Sequence, residues 1–240
     1  YLAGIEVLDI INEPTAAAIA HGYEKSNDQA DGETVLVYDL GGGTFDVSIV
    51  RIESGQYRAL ATDGDVKLGG VDWDERLVTY FAEQYMSTYN LDPRDDPNSL
   101  GQLWRIAKHA KHTLSDEDVC TVELESPLQA LSITITQEEF ASLTADLLER
   151  TRFTASQTVK AAGLSWNDID HVLLVGGSTR MPSVSTMLRE ESGAEPKRSI
   201  SPDEAVAHGA ALHAGRLLDK QRGRKTKFTV QNVNSHTLGV

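Results

Sequence analysis

Residues 35–50 constrain the fold of this chain most, because they join two apolar strands through a turn with three consecutive glycines. The apolar run 35–38 predicts a buried strand. Asp39 follows it, the turn at 41–44 reads Gly-Gly-Gly-Thr, and Asp46 lies on the returning strand. Such a turn can cradle a phosphate with its backbone N–H groups, and carboxylates at strand ends can hold a hydrated Mg²⁺. The stretch alone is equally compatible with a phosphate loop and with a plain hairpin.

The composition allows a substantial core and excludes several classes of function. The chain has 240 residues, 40% of them apolar, which suits one large or two small domains. A net charge of −14 argues against nucleic acid or a membrane surface as a partner, since phosphates would be repelled. No apolar run approaches the ~20 residues of a membrane span. The one cysteine, Cys120, favours a reducing, cytoplasmic compartment.

Periodicity and turn residues predict an α/β chain. We expect strands at residues 5–11, 34–38, 44–53, 57–63, 120–124, 131–136 and 170–175, and an extended segment at 228–233. We expect helices at residues 12–22, from 71 onward, at 99–113, at 136–163, after Pro182 and at 201–218. The chain starts without Met, and residues 1–4 look like the middle of a domain, so we expect a piece of a longer protein.

Capping motifs define two of these helices. Thr136 and Glu139 form a capping box, which predicts one helix of about 26 residues ending near Gly163. Ser201 with Pro202 predicts a helix capped by the serine. In the segment 201–204, Asp203 is foremost part of this helix start, and a ligand contact is the alternative. Glu13 is likewise either a helix-capping residue or a carboxylate of a metal site.

Residues 171–177 repeat the strand-then-double-glycine pattern of the first unit. Both loops would lie at the rim of one sheet, where open α/β sheets bind ligands. The second loop lacks the Gly-Lys-Ser/Thr ending of a Walker-type NTPase. By itself it is best interpreted as a βα turn that needs glycine for packing; the alternative is a loop that binds a ribose or base, with Arg180 available to stack or pair. His109 and His112 lie three residues apart, but without a further ligand we interpret them as a solvated helix face.

Four long motifs occur in an order that closely resembles the ATPase domain of the 70-kDa heat-shock chaperones. They are Ile-Asn-Glu-Pro-Thr-Ala-Ala-Ala at 11–18, Asp-Leu-Gly-Gly-Gly-Thr-Phe-Asp-Val-Ser at 39–48, Leu-Leu-Val-Gly-Gly-Ser-Thr-Arg at 173–180 and Ser-Pro-Asp-Glu-Ala-Val-Ala-His-Gly-Ala-Ala at 201–211. The resemblance implies an α/β, actin-like (ribonuclease H-like) ATPase lobe with a smaller α+β outer subdomain.

The resemblance also implies a division of the chain. Residues 1–30 would be the end of a first lobe and its crossover helix. Residues 31–68 and 147–219 would form the sheet subdomain at the floor of a cleft, and residues 69–146 the outer subdomain. Residues 220–240 would be a linker and the start of a following domain.

By the same resemblance, the cofactors would be ATP or ADP and Mg²⁺. Glu13, Asp39 and Thr44 would be catalytic, and Asp39 and Asp46 would hold the metal through water. The residues that would bind the nucleotide are Gly41, Gly42, Gly43, Thr44, Lys111, Ser115, Gly176, Gly177, Ser178, Arg180 and Asp203.

Three positions depart from the family pattern. Lys108 stands where the family usually has Glu, His112 where it often has Arg, and Val71 where a cleft carboxylate is usual. An ammonium group cannot accept a hydrogen bond from a ribose hydroxyl. We therefore expect altered nucleotide affinity and base preference.

The implied function is the nucleotide-binding part of an ATP-dependent stress-response chaperone, in which hydrolysis controls a following peptide-binding domain. Its partners would be unfolded peptides, co-chaperones and nucleotide-exchange factors. Two alternatives are a nucleotide-responsive binding protein with weak or no ATPase activity, and a small-molecule kinase on the same scaffold. The family's first-lobe phosphate loop and catalytic lysine are absent from the sequence, so we expect the chain alone to hydrolyse ATP negligibly.

Overall fold

The computed structural model describes residues 4, 6–24, 32–125, 129–197, 201–226 and 228–231. Its helices are α1 Glu13–Glu24, α2 Gly70–Tyr89, α3 Pro97–Thr113, α4 Gln137–Leu143, α5 Ala145–Ala161, α6 Pro182–Ser192 and α7 Ala205–Gln221. Its strands are β1 Thr34–Leu40, β2 Phe45–Glu53, β3 Gln56–Asp65, β4 Val119–Glu125, β5 Ala130–Thr136, β6 His171–Val175 and β7 Thr229–Gln231.

Five strands form a mixed sheet in the order β6-β1-β2-β3-β7. β1, β2 and β3 are an antiparallel meander, as the sequence predicts, while β6 runs parallel to β1 and β7 parallel to β3. The ends of β1 and β6 that precede the two glycine turns therefore meet at one rim of the sheet. The mixed α/β class is confirmed.

Helices cover both faces of this sheet, so every residue of β1 is buried. On one face, Val35 and Val37 pack in a cluster with α1 residues such as Ile19, and α1 packs against α7. On the other face, Leu36 and Tyr38 belong to a larger cluster that includes α5 and α6. A central strand buried on both sides reads as a continuous apolar run rather than as an alternation.

The predicted small sheet is also present, as the antiparallel pair β4 and β5. Its inward side chains alternate with exposed ones along β4, where Cys120, Val122 and Leu124 are buried. α3 packs on β4 and α2 packs on α3. The helices α2 and α3 thereby connect this sheet to the rim of the larger one.

The strand predicted at residues 5–11 is wrong over the part that is described. Residues 6–12 have neither strand nor helix conformation, and Val7 and Ile10 are 76% and 85% exposed. A strand needs a neighbour that accepts its backbone hydrogen bonds. Within the described ranges, no strand pairs with this segment.

The single helix predicted at 136–163 is two helices, α4 and α5, that are interrupted at Thr144. The capping box at Thr136 is present, so the predicted start is confirmed. The buried Thr144 hydroxyl donates to the carbonyl of Phe140 at 2.9 Å, and its φ of −116° and ψ of 12° depart from helical values. Threonine can compete with the helix ladder in this way.

The start predicted for the last helix, with Ser201 as its cap, is three residues early. Residues 202–204 form a turn, and α7 begins at Ala205. The Ser201 carbonyl accepts from the N–H groups of Glu204 and Ala205, whereas the predicted cap used the serine side chain. The Pro202 carbonyl accepts from Gly176, so this turn is held by the second glycine loop instead of by the helix.

Candidate functional site

Three carboxylates converge at the rim of the large sheet. Asp39 and Asp46 are directly opposed across β1 and β2, and Glu13 begins α1. Burial, then the charges of Glu13 and Asp46, raise the pKa of Asp39 to about 7. Burial and Glu13 also raise the pKa of Asp46. The group therefore has an excess of negative charge that a cation would relieve.

The first glycine turn is held by bonds to the start of α2. Gly41 donates to Thr44 at 3.0 Å, and its carbonyl accepts from Gly70 at 2.9 Å. The carbonyl of Gly42 accepts from Val71 at 2.8 Å. Among the described residues, the N–H groups of Gly42 and Gly43 have no hydrogen-bond partner, and both residues are exposed. Such amides are suited to bind an anion.

The second glycine turn packs directly on the first. Gly176 has a φ of 83°, and a Cβ there would overlap the carbonyl of Leu40 and lie 2.7 Å from Asp39 Oδ1. Ser178 Oγ donates to the Gly41 carbonyl at 2.9 Å. Glycine is therefore required at 176 by both the backbone angle and the space.

Arg180 and Asp203 form an ion pair beside this turn. Arg180 Nη2 lies 2.7 Å from Asp203 Oδ2, and both side chains are about half exposed, at 50% and 53%. A Cβ on Gly177 would lie 3.2 Å from Asp203 Oδ1. The pair therefore presents a planar guanidinium group to solvent next to glycine backbone.

Lys111 approaches the same place from α3. Its Nζ donates to the carbonyl of Gly70 at 2.7 Å and lies 2.8 Å from Asp74 Oδ1. Ser115 Oγ donates to the Lys111 carbonyl at 3.0 Å. The lysine thus links the end of α3 to the beginning of α2, where the first glycine turn is bound.

A cleft of about 420 Å³ lies between these elements. Of the predicted site residues, it is lined by Gly42, Lys111, Ser115, Gly177, Ser178, Arg180 and Asp203. Gly41, Gly43, Thr44 and Gly176 belong to the two turns without lining this volume, and Glu13, Asp39 and Asp46 form the adjoining acidic group. The predicted site residues therefore fall into two neighbouring sets, the cleft with its two glycine turns and the acidic group.

A family model described as Hsp70 protein matches residues 1–240. The chain belongs to the Hsp70 family. The actin-like fold class expected for that family is confirmed by the match together with the mixed sheet.

Curated Hsp70 relatives match the chain over its full length. It is 43% identical to a chaperone protein DnaK of Metamycoplasma hominis, covering 100% of this chain and 40% of the relative. It is 44% identical to the DnaK of Deinococcus proteolyticus, covering 100% of this chain and 38% of that relative. It is also 44% identical to the DnaK of Thermotoga petrophila, covering 100% of this chain and 41% of that relative. The chain thus spans about two fifths of the length of these relatives.

Within its described part, no helix is both long and apolar enough to cross a bilayer.

Asp74, which is buried and lines the cleft of this Hsp70 chain, was not predicted from the sequence. A signal was present, because Asp74 lies three and seven residues before Leu77 and Phe81, on the buried face of α2. A charged residue on such a face needs a partner of opposite charge. The other lining residues that were missed are Gly70, Asp116 and Met181.

The three positions that depart from the Hsp70 pattern all line the cleft. Lys108 and His112 lie one turn apart on α3, and Val71 lies at the start of α2. Lys108 and His112 are exposed, and Val71 is 52% exposed. All three side chains are therefore accessible to a molecule in the cleft.

Proposed function

We propose that this chain is the second lobe of an actin-like ATPase domain and forms one side of a Mg-nucleotide site in an ATP-dependent chaperone. The observation that carries the proposal is the cleft, where the first glycine turn, the second glycine turn and Lys111 meet. Its volume of about 420 Å³ suits a small molecule, since such sites measure roughly 300–1,000 Å³.

The acidic group and the first turn would face the phosphates. Asp39 and Asp46 would hold a divalent cation through water, with Glu13 near it, because the charges of the three carboxylates and the burial of Asp39 favour a positive ion close by. When bound, Mg²⁺ supplies charge neutralisation on the terminal phosphates. The amides of Gly42 and Gly43 would bind phosphate oxygens, and Glu13 with Thr44 would orient a water molecule.

The remaining site residues would hold the nucleoside. Arg180 offers a planar cation for stacking, and its pairing with Asp203 orients that plane. Ser178 donates to the Gly41 carbonyl, so the turn that contacts the nucleoside would be held in a fixed position relative to the turn that contacts the phosphates. Lys111 and Ser115 would contact the nucleoside from the opposite wall, and Gly176 and Gly177 would let the ligand approach the backbone.

The wider assignments belong to this proposal as well. Residues 31–68 and 147–219 would form the cleft floor, 69–146 the outer subdomain, 1–30 the end of the first lobe, and 220–240 a linker. In the whole protein, hydrolysis would control binding of unfolded peptides, assisted by co-chaperones and exchange factors. A cytoplasmic setting is supported by the single, buried Cys120.

Nucleotide titration of the chain tests the proposal. With Mg²⁺ present, ADP should bind at one site, and Arg180→Ala should weaken binding. Arg189→Ala is a matched control, because Arg189 is also an exposed arginine paired with a carboxylate, Glu195, but lies outside the cleft. Equal affinity in both variants would contradict the proposed site.

Turnover measurements separate the functions. The chain alone should hydrolyse ATP negligibly, and robust phosphate release would contradict this. In the longer parent protein, release stimulated by unfolded peptide supports the chaperone. Nucleotide binding without release supports a nucleotide-responsive binding protein, whereas transfer to an added small-molecule acceptor supports a kinase.

A further inference from the structure

A second cluster of ligating side chains lies at the opposite rim of the large sheet. His171 begins β6, Glu33 precedes β1, and His21 lies in the last turns of α1. β1 and β6 are parallel and carry Asp39 and Gly176 at their other ends, about 20 Å away at the rise of a strand. The cluster is therefore separate from the proposed nucleotide site.

The ligand atoms of this cluster are close together. His171 Nε2 lies 3.2 Å from Glu33 Oε1, and His21 Nε2 lies 3.7 Å from Glu33 Oε2. One ligand atom from each residue can be chosen so that all three lie within 4.8 Å of one another. The two imidazole rings are arranged edge to face, with centroids 5.4 Å apart.

The two His–Glu separations, 3.2 and 3.7 Å, are close to those of a tetrahedral metal site, and the three chosen ligand atoms all lie within 4.8 Å of one another. Two ligands at ~2.0–2.2 Å from Zn²⁺ lie roughly 3.3–3.6 Å apart when the angle between them is tetrahedral. Two histidines and one carboxylate form a known zinc ligand set that leaves the fourth position for water. Imidazole favours zinc and related transition metals, whereas Mg²⁺ prefers oxygen ligands.

The burial of the cluster also suits a bound ion. The His21 side chain is only 2% exposed, while those of Glu33 and His171 are 16% and 18% exposed. One ligand is therefore fixed inside the protein, and the other two leave a path to solvent. The three residues come from three separate elements, so an ion would join α1 to the beginnings of β1 and β6.

Lys197 is the group that opposes metal binding. Its Nζ lies 3.3 Å from His171 Nε2, the same nitrogen that faces Glu33. Its backbone is fixed beside β6, but its ammonium group is at the end of a flexible stem and can move to solvent. The lysine should therefore weaken metal binding without preventing it.

We propose that His21, Glu33 and His171 form a site for a transition-metal dication of the zinc class. The proposal is independent of nucleotide binding. The alternative is that Glu33 only pairs with the two imidazoles, and Lys197 only with His171. The two possibilities differ in whether a metal binds with defined stoichiometry and geometry.

Titration of the chelator-treated chain with Co²⁺ and Zn²⁺, in the absence of nucleotide, tests this site. We expect one equivalent of Co²⁺ with the intense visible bands of four-coordinate geometry, displacement by Zn²⁺, and no displacement by excess Mg²⁺. Glu33→Gln and His171→Gln should each weaken binding more than about tenfold, since even outer-shell partners cost about 10–100-fold. Zn²⁺ should also raise the melting temperature of the wild-type chain.

Two further variants keep the test decisive if a ligand variant folds poorly. Lys197→Met should bind Co²⁺ more tightly than wild type, because it removes the competing ammonium group. His109→Ala removes an exposed histidine of α3 that belongs neither to the cluster nor to the cleft lining, and should leave Co²⁺ binding unchanged. Absence of stoichiometric binding, loss of binding in His109→Ala, or binding retained by Glu33→Gln and His171→Gln would each overturn the proposal.

Discussion

Lys111 Nζ lies 2.8 Å from Asp74 Oδ1, and the two side chains are only 10% and 9% exposed. The same ammonium group donates to the Gly70 carbonyl. This pair joins α3 to the first turn of α2, and Gly70 in turn donates to Gly41 of the first glycine turn. The geometry of the cleft therefore depends on one buried pair of opposite charges.

Lys111→Met should destabilise the chain by about 3–5 kcal/mol, because it leaves the buried Asp74 carboxylate uncompensated. The double variant Lys111→Met/Asp74→Asn should regain much of that loss, since no charge is left unpaired. Urea unfolding at neutral pH measures both. Equal unfolding midpoints for wild type and the single variant would contradict the proposed role of the pair.

Gly209→Ala should destabilise the chain by about 1–3 kcal/mol, because overpacking forces shifts in the surrounding structure. Gly209 lies in α7, and its Cβ would overlap the backbone of Ala16 in α1. Gly215→Ala on the same helix is the control, since no heavy atom lies within 4 Å of its Cβ. That change should stabilise by about 0.5–1 kcal/mol through helix propensity. A shift of both melting temperatures in the same direction relative to wild type would contradict the close contact at Gly209.

Asp39→Asn should change the pH dependence of stability. The pKa of Asp39 is raised to about 7, mainly by burial, so between about pH 4 and 7 the folded chain holds a proton that the unfolded chain has lost. The free energy of unfolding of the wild type therefore falls as pH rises through this window. Asn at position 39 does not titrate, so the variant should be more stable than wild type at pH 8 by about 2–4 kcal/mol, at about 1.4 kcal/mol per pKa unit.

Denaturant unfolding at a series of pH values checks this expectation. Asp95→Asn, which removes an exposed carboxyl group in the short turn Pro93–Asp95, should leave the profile unchanged. Parallel profiles for wild type and Asp39→Asn between pH 4 and 8 would show that Asp39 titrates normally.

Lys108→Glu should raise the affinity for Mg-ADP by about tenfold, since a hydrogen bond to a charged group contributes about 1.5–3 kcal/mol. The new carboxylate can accept from a ribose hydroxyl, which an ammonium cannot do. Adenosine has no phosphates, so its affinity, measured by competition with ADP, reports the part of this gain that comes from the nucleoside. Lys160→Glu makes the same charge change at an exposed position of α5, outside the cleft, and should have no such effect. Unchanged or weaker adenosine binding by Lys108→Glu would contradict a ribose contact here.

Much of the fold was predictable because strong local signals agreed with the tertiary structure. The meander β1–β3 was predicted nearly to its ends, since apolar runs alternate there with glycine turns. The location of both glycine turns at one rim was predicted because each turn follows a similar apolar strand, and the two strands are indeed parallel neighbours. For both features, local pattern and final packing favour the same conformation.

The rest depended on contacts that are distant in sequence. The strand predicted at residues 5–11 is absent over residues 6–11, because an apolar pattern does not specify a pairing partner. The cap predicted at Ser201 failed because Gly176 fixes the preceding turn from another part of the chain. The role of Asp74 required knowing that Lys111 lies beside it, 37 residues later in the sequence.

The interruption at Thr144 has a mechanical consequence. α4 packs on β5 of the small sheet, whereas α5 packs on β2 and β3 of the large sheet. Between them, the φ and ψ of the buried Thr144 depart from helical values. The two helices are therefore not one rigid rod that spans both sheets, and each follows the sheet on which it packs.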